Sequence, residues 1–248
     1  MAKHDTAPQP DDEVVVTTRT RLRRRARMQK KRARAEGMLD GILSQLGPGD
    51  VALDCGANVG AVAVPLSETG ATVYAFEPDP VAFAVLSQRA AGRPNLHAVA
   101  AAVGTNAGTA TLHRTPGFAT DAVAATVSST LLTGVRAAET GDAPSVDVEV
   151  LDLPDIVADL QAGRFPDGLP RPKGRRKPGR LAVLKLDVEG AELDLLEALH
   201  AKGLLDAIGT TVAETHERKF PALRPRFAAL RRDIAAAHPP HRVYLDWV

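Results

Sequence analysis

The stretch Val51 to Pro78, VALDCGANVGAVAVPLSETGATVYAFEP, constrains the fold of this chain more than any other. Val51, Ala52 and Leu53 form a short apolar run without helical period, as expected for a strand buried on both faces in a parallel sheet. Asp54 marks its carboxyl end. Gly56 and Gly60 bracket Ala57, Asn58 and Val59, so the backbone can turn tightly and approach a ligand before a helix carrying Val62, Val64 and Leu66. A second strand, Thr72 to Phe76, runs into Glu77, seventeen residues beyond Gly60. A carboxylate there can accept hydrogen bonds from both hydroxyls of a ribose, which points to an adenosine derivative.

The missing features narrow that ligand. A dinucleotide turn needs G-x-G-x-x-G so that amides at the helix start can hold a pyrophosphate. Here an acid, Asp54, precedes the turn, and Asn58 stands where the middle glycine would be. Asp54 repels a phosphate but attracts a ligand with a cationic amino-acid end. S-adenosylmethionine, with an ammonium, a sulfonium and no phosphate, fits that requirement. The plainer alternative is a strand-to-helix turn in an unrelated α/β protein.

A chain of 248 residues suffices for one substantial domain with appendages. Hydrophobic residues make up 44% but aromatics only 4%, so the core is expected to be aliphatic. No apolar run is long enough to span a bilayer and the N-terminus has no signal-like apolar segment, which places the expected location in the cytoplasm. The single cysteine, Cys55, has no metal-ligand companion and reads as a small buried filler.

The net charge of +1 conceals segregation. Arg19 to Glu36 carries ten Lys or Arg against one acid and Arg171 to Arg180 carries six against none, leaving 15 bases and 29 acids, a net of −14, for the rest. The basic stretches suit an anionic partner, self-association against the acidic body, or simply a solvated helix. No aromatic residue interrupts Arg19 to Arg34, so a base-stacking surface is unsupported and nucleic acid is not the expected partner.

Along the chain, residues 1–18 read as a disordered tail and 19–47 as a basic helical cap, stopped by Gly47-Pro48-Gly49. Residues 48–248 read as one Rossmann-like domain. Further expected elements are a helix at Asp79 to Ala91, a third strand at Asn95 to Val103, and strands at Thr109 to His113 and Val146 to Val150. The Pro/Gly-rich basic segment 163–179 reads as an irregular loop. Beyond it come a strand at Leu181 to Leu186, an amphipathic helix, a strand at Thr210 to Ala213, a helix at Ala222 to Ala237 and a last strand at Arg242 to Trp247. Alternating helix and strand imply an α/β doubly wound, mostly parallel sheet with an N-terminal helical extension.

With these elements placed, the sequence resembles the FkbM family of S-adenosylmethionine-dependent methyltransferases. The matching words are LDCGANVG at Leu53 to Gly60, AFEPDP at Ala75 to Pro80, AAVG at Ala101 to Gly104, VLDLPD near Asp152, LKLDVEGAELDLLEAL at Leu184 to Leu199 and ETHERKFP at Glu214 to Pro221. They run in family order from about residue 40 to 225. The resemblance implies a class I methyltransferase fold and methyl transfer to a hydroxyl of a small metabolite, sugar or glycan, or polyketide-like acceptor. It implies that Asp54, Gly56, Asn58, Gly60 and Glu77 hold the cofactor, with Ala57, Pro78, Val103 and Asp187 as further contacts. Two features depart from the shared motifs: the long basic loop and the basic N-terminal helix. A class I sheet also ends in an antiparallel hairpin, whereas this chain offers about one strand, so its edge is expected to be incomplete or completed by a second copy.

Open α/β sheets bind ligands outside the carboxyl ends of their strands, so Asp187, Glu189, Glu214 and His216 should share one crevice. His216, whose unperturbed pKa of about 6.5 lies near working pH, is the expected base, with Asp187 and Glu214 as catalytic partners. No resident metal is assigned, although Asp187, Glu214 and His216 would also suit Mg²⁺ or Mn²⁺. The plainer readings are that Glu189 and Glu192 serve the dipole of the following helix and that His216 bonds a backbone group at a strand end. Ser128, Ser129 and Thr130 are expected in a loop near the mouth. The competing functions are an RNA methyltransferase using the basic segments, and a cofactor-binding module without turnover.

Overall fold

The computed structural model describes residues 10–113 and 145–247. The chain divides into two units, the first reaching Gly41 and the second spanning Ile42–Trp247.

The first unit is dominated by helix α1, Pro10–Leu43. Arg, Lys, Ala, Gln and Glu favour helix, and no proline interrupts the sequence between Pro10 and Pro48. Arg32 and Glu36 add an i,i+4 ion pair at 2.9 Å. The helix starts upstream of the expected 19–47 cap, within the segment read as a tail, and ends before Gly47. Proline at the first helical position costs nothing, because that residue has no intrahelical amide partner to lose. Leu22 and Met28 stand exposed among its charges.

The second unit is built on six parallel strands. They are β1 (Asp50–Cys55), β2 (Thr72–Phe76), β3 (Leu96–Val99), β7 (Arg180–Leu186), β8 (Thr210–Ala213) and β9 (Val243–Tyr244), ordered β3-β2-β1-β7-β8-β9. The register sets Leu53 beside Tyr74 on one side and Leu184 on the other. Strand order reverses direction at β1, and the ends of β1 and β7 therefore open a crevice. Every residue of β2 is buried, which explains why it is apolar almost throughout.

Helices α2 (Ala63–Glu68), α3 (Pro80–Ala90), α4 (Leu153–Gln161), α5 (Glu192–Ala201) and α6 (Arg224–Ala237) accompany the sheet. Leu153, Ile156 and Leu160 of α4 join Leu193, Leu196 and Leu199 of α5 and Phe227 of α6 in one mainly aliphatic core with the strands. No helix among the described residues is long and apolar enough to cross a membrane.

A smaller sheet, β4 (Ala102–Gly104), β6 (Ser145–Asp152) and β5 (Gly108–His113), pairs β4 with β6 in parallel and β5 with β6 antiparallel. The expected single strand from Asn95 to Val103 is thus two. The Ala101 amide donates to the Val99 carbonyl at 2.9 Å, a bend that sends Ala102–Gly104 out of the main sheet. Helix α4 was not expected. Segment 163–179 holds neither helix nor strand, and its path is anchored by the Tyr74 hydroxyl donating to the Pro170 carbonyl at 2.9 Å. At the far edge β9 pairs with β8 in parallel, and no antiparallel strand follows it among the described residues.

Candidate active site

The turn after β1 is stitched to the end of β2. The Gly56 and Ala57 amides both donate to the Phe76 carbonyl, at 3.0 and 2.9 Å. Gly56 has φ +77°, and a Cβ there would lie 1.8 Å from the Asp187 carbonyl oxygen, so only glycine lets β1 and β7 close this tightly. Asn58 also takes a left-handed conformation, φ +49°, and its side-chain oxygen accepts the Val59 amide at 2.7 Å.

That geometry aims the Asn58 amide at Glu77. One Glu77 oxygen accepts it at 2.8 Å and the other accepts the Asp79 amide at 2.8 Å. The carboxylate is held rigidly, yet each oxygen keeps a lone pair for a ligand. Burial pushes the carboxyl up to about 7, although the two amides and Lys185 pull it down.

Beneath the turn lies a cation that the sequence reading missed. Lys185 is buried within the apolar run Leu181–Leu186 of β7, with its ammonium 3.0 Å from Asp54 and 3.6 Å from Asp187, and it donates to the Gly56 carbonyl at 2.9 Å. Burial alone would lower its pKa, but Asp54 and Asp187 outweigh that and hold it above its ordinary value. Asp54 is fully buried, and among the described residues no donor other than Lys185 reaches its carboxylate. The adjacent Cys55 thiol is raised by burial and by Asp54, in keeping with an inert core group.

The opposite wall comes from the ends of β7 and β8. His216 is buried, with Nδ1 3.0 Å from Glu192 and Nε2 3.4 Å from Glu189. Glu192 has no exposed surface; one oxygen accepts the Val188 amide and the other the Gly190 amide, both at 2.8 Å. Glu189 sits at φ +56° and pairs with Lys219. The ring loses charge to desolvation but gains more from Glu192 and Glu189, so its pKa rises above the ordinary value.

These walls enclose a cavity of about 510 Å³. Of the expected cofactor residues, Gly56, Asn58, Glu77, Pro78, Val103 and Asp187 line it, and so do the expected catalytic residues Asp187, Glu214 and His216. Asp54, Ala57 and Gly60 do not. The acid that the β1 turn was expected to offer is withdrawn from the cavity by Lys185, because an unpaired carboxylate at that depth would be prohibitive. Beside that turn it is Asp187, at the end of β7, that faces the cavity. Ligand atoms of Asp187, Glu214 and His216 all lie within 4.8 Å of one another. Ser128, Ser129 and Thr130 lie outside the described residues.

Lys185 and Lys219 went unread in the sequence, and Glu192 was read for the helix dipole alone. Lys185 was detectable as the one charge inside Leu181–Leu186, since a lysine between strand residues of this kind needs a buried partner. Glu192 was taken as a dipole residue of α5, whereas its burial and imidazole contact follow from tertiary packing.

The Methyltransferase FkbM domain family matches residues 54–237. The methyltransferase sdnD of Sordaria araneosa is 31% identical over 195 residues, covering 73% of this chain and 71% of that protein. The 31-O-demethyl-FK506 methyltransferase FkbM of Streptomyces tacrolimicus is 35% identical over 190 residues, covering 70% and 68%. No solved structure matches the chain. The matched span contains the glycine turn, Glu77 and both cavity walls, and on that ground the chain belongs to the FkbM family of methyltransferases.

Proposed function

We propose that this protein transfers a methyl group from S-adenosylmethionine to a hydroxyl oxygen of a small metabolite, sugar or polyketide-like acceptor. The observation that carries this reading is the facing of two carboxyl-end walls across one cavity: a rigid carboxylate at Glu77, and an oriented imidazole at His216. The name of the Streptomyces relative, a 31-O-demethyl compound's methyltransferase, supports oxygen as the acceptor atom.

The residues fit the cofactor. Glu77 has the remaining lone pairs to receive a ribose diol, and Asp187 faces the cavity as an acid for a cationic amino-acid end. When bound, the cofactor supplies an electrophilic methyl on a sulfonium. The task left to the chain is to align the acceptor oxygen and remove its proton. His216 takes that proton at Nε2, with Asp187 and Glu214 beside it to orient the hydroxyl. Its raised pKa means that the neutral, proton-accepting ring prevails only above the ordinary value of about 6.5, so turnover should climb with pH across that region.

Calorimetry with S-adenosylhomocysteine against NAD tests the cofactor, and transfer of a labelled methyl group to a panel of hydroxyl compounds tests the reaction. His216→Ala should lower turnover by about 100-fold or more and leave S-adenosylhomocysteine affinity within about twofold. Saturation by NAD with no heat from S-adenosylhomocysteine would overturn the reading.

A second reading is favoured by the clustering of Asp187, Glu214 and His216, whose ligand atoms suit a Mg²⁺ or Mn²⁺ ion. Such an ion would use the same Nε2 lone pair and polarise the acceptor hydroxyl in place of the base. Full turnover after exhaustive chelation discards this alternative.

A further inference from the structure

We infer that Glu192 is the positioning residue of this site: it fixes His216 as the Nδ1–H tautomer and so leaves Nε2 as the bare nitrogen for the acceptor's proton. The proton-acceptor part rests on the hydroxyl-methylation reading above; the tautomer part stands on the geometry alone.

A carboxylate with no exposed surface is costly unless each oxygen is paired. Glu192 meets that condition with the Val188 and Gly190 amides, both in the loop between β7 and α5, so its charge is held before any contact with the ring. The oxygen that takes the Val188 amide also lies 3.0 Å from His216 Nδ1. A carboxylate with its charge so stabilised is an acceptor only, so the hydrogen between them belongs to the imidazole. In the neutral ring the other nitrogen is then unprotonated.

Service to the helix dipole does not explain this arrangement. Asp194 lies in the same first turn and remains half exposed, whereas Glu192 is sunk against a histidine from the end of β8. The Nε2 side has its own acid, Glu189, at 3.4 Å, and Lys219 pairs with that acid. When Nε2 receives a proton, the ring becomes an imidazolium flanked by two carboxylates. The proton moves from the acceptor oxygen to Nε2, Nδ1 keeps its own, and Glu192 remains ionised throughout.

Nitrogen-15 NMR of the full-length protein, at alkaline pH where the ring is neutral, should show His216 as the Nδ1–H form. Glu192→Gln should shift the ring toward the Nε2–H form and lower kcat by about 100-fold, with S-adenosylhomocysteine affinity and the cofactor KM within about twofold. Glu192→Asp, which keeps the charge, should recover part of kcat. An Nε2–H ring in the unaltered protein overturns the inference even if Glu192→Gln fails to fold. So does unchanged kcat in a folded Glu192→Gln when His216→Ala is inactive. Absence of methyl transfer by the unaltered protein would instead overturn the function proposed above, and the tautomer result would still decide the role of Glu192.

Discussion

Two cation-centred clusters in this protein each set one basic side chain between two carboxylates and differ most in depth. Lys185 sits with Asp54 and Asp187 under the β1 turn, buried, while Arg226 sits on α6 with Asp194 at 2.6 Å and Glu197 beside it, roughly half exposed. Water can replace any partner of Arg226, so its pairs are worth little. Solvent cannot replace Asp54 beside Lys185, since neither side chain reaches it. Its ammonium also holds the Gly56 carbonyl, so the trio around it fixes the floor of the cavity, whereas the surface trio only decorates two helices.

Lys185→Met should give the largest effect, a loss of about 3–5 kcal/mol in chemical denaturation, because Asp54 is left buried without a counter-charge. A loss below about 1 kcal/mol would erase the distinction between the clusters. Replacing Asp54 by Leu in the same chain should recover part of the loss, since an apolar pair removes the orphaned charge. Next comes Gly56→Ala, which should cost about 3 kcal/mol: left-handed strain and the clash with the Asp187 carbonyl each contribute about 1–3 kcal/mol. The same variant should lose S-adenosylhomocysteine binding.

Glu77 sharpens the contrast through pH. Burial raises its folded pKa to about 7, above the ordinary value of 4.5, so the folded form retains a proton that the unfolded chain has released. Its contribution to stability is therefore complete below about pH 4.5 and is lost as pH rises to 7, at no more than about 1.4 kcal/mol per pH unit. Melting temperatures across this window should fall less steeply for Glu77→Gln than for the unaltered chain. An identical slope would place that pH dependence elsewhere. The smallest change is expected from Arg226→Ala, within about 1 kcal/mol and shrinking further as salt is added in thermal melts, because exposed pairs are screened.

Much of the fold was legible because its signals are local. Thr72–Phe76 and Thr210–Ala213 are strands at the expected residues, and the LDCGANVG turn with Glu77 lies where the glycines and strand lengths require. Helix α4 was hidden because Leu153–Gln161 follows β6 with no glycine or loop between them; Asp152 closes the strand and also caps the helix by accepting the Asp155 amide at 2.9 Å. In the site, cavity-facing positions such as Asn58, Asp187 and His216 follow from strand ends, which sequence can locate. Asp54 was placed at the cavity because its partner, Lys185, is 131 positions away in the sequence and only the β1–β7 register brings them together. Glu192 escaped for the same reason, since its meaning depends on a histidine just beyond the end of β8.

The central position of β1 also governs how the chain is made. Synthesis proceeds from the N-terminus, so β1 and β2 leave the ribosome long before Arg180–Leu186 arrives to cover the other flank of β1. Until then one long apolar edge has no neighbour, and Asp54 has no ammonium to sink beside. Long-range parallel pairing of this kind is slow. Nascent chains truncated before residue 180 should therefore bind chaperones, and release should coincide with the emergence of β7.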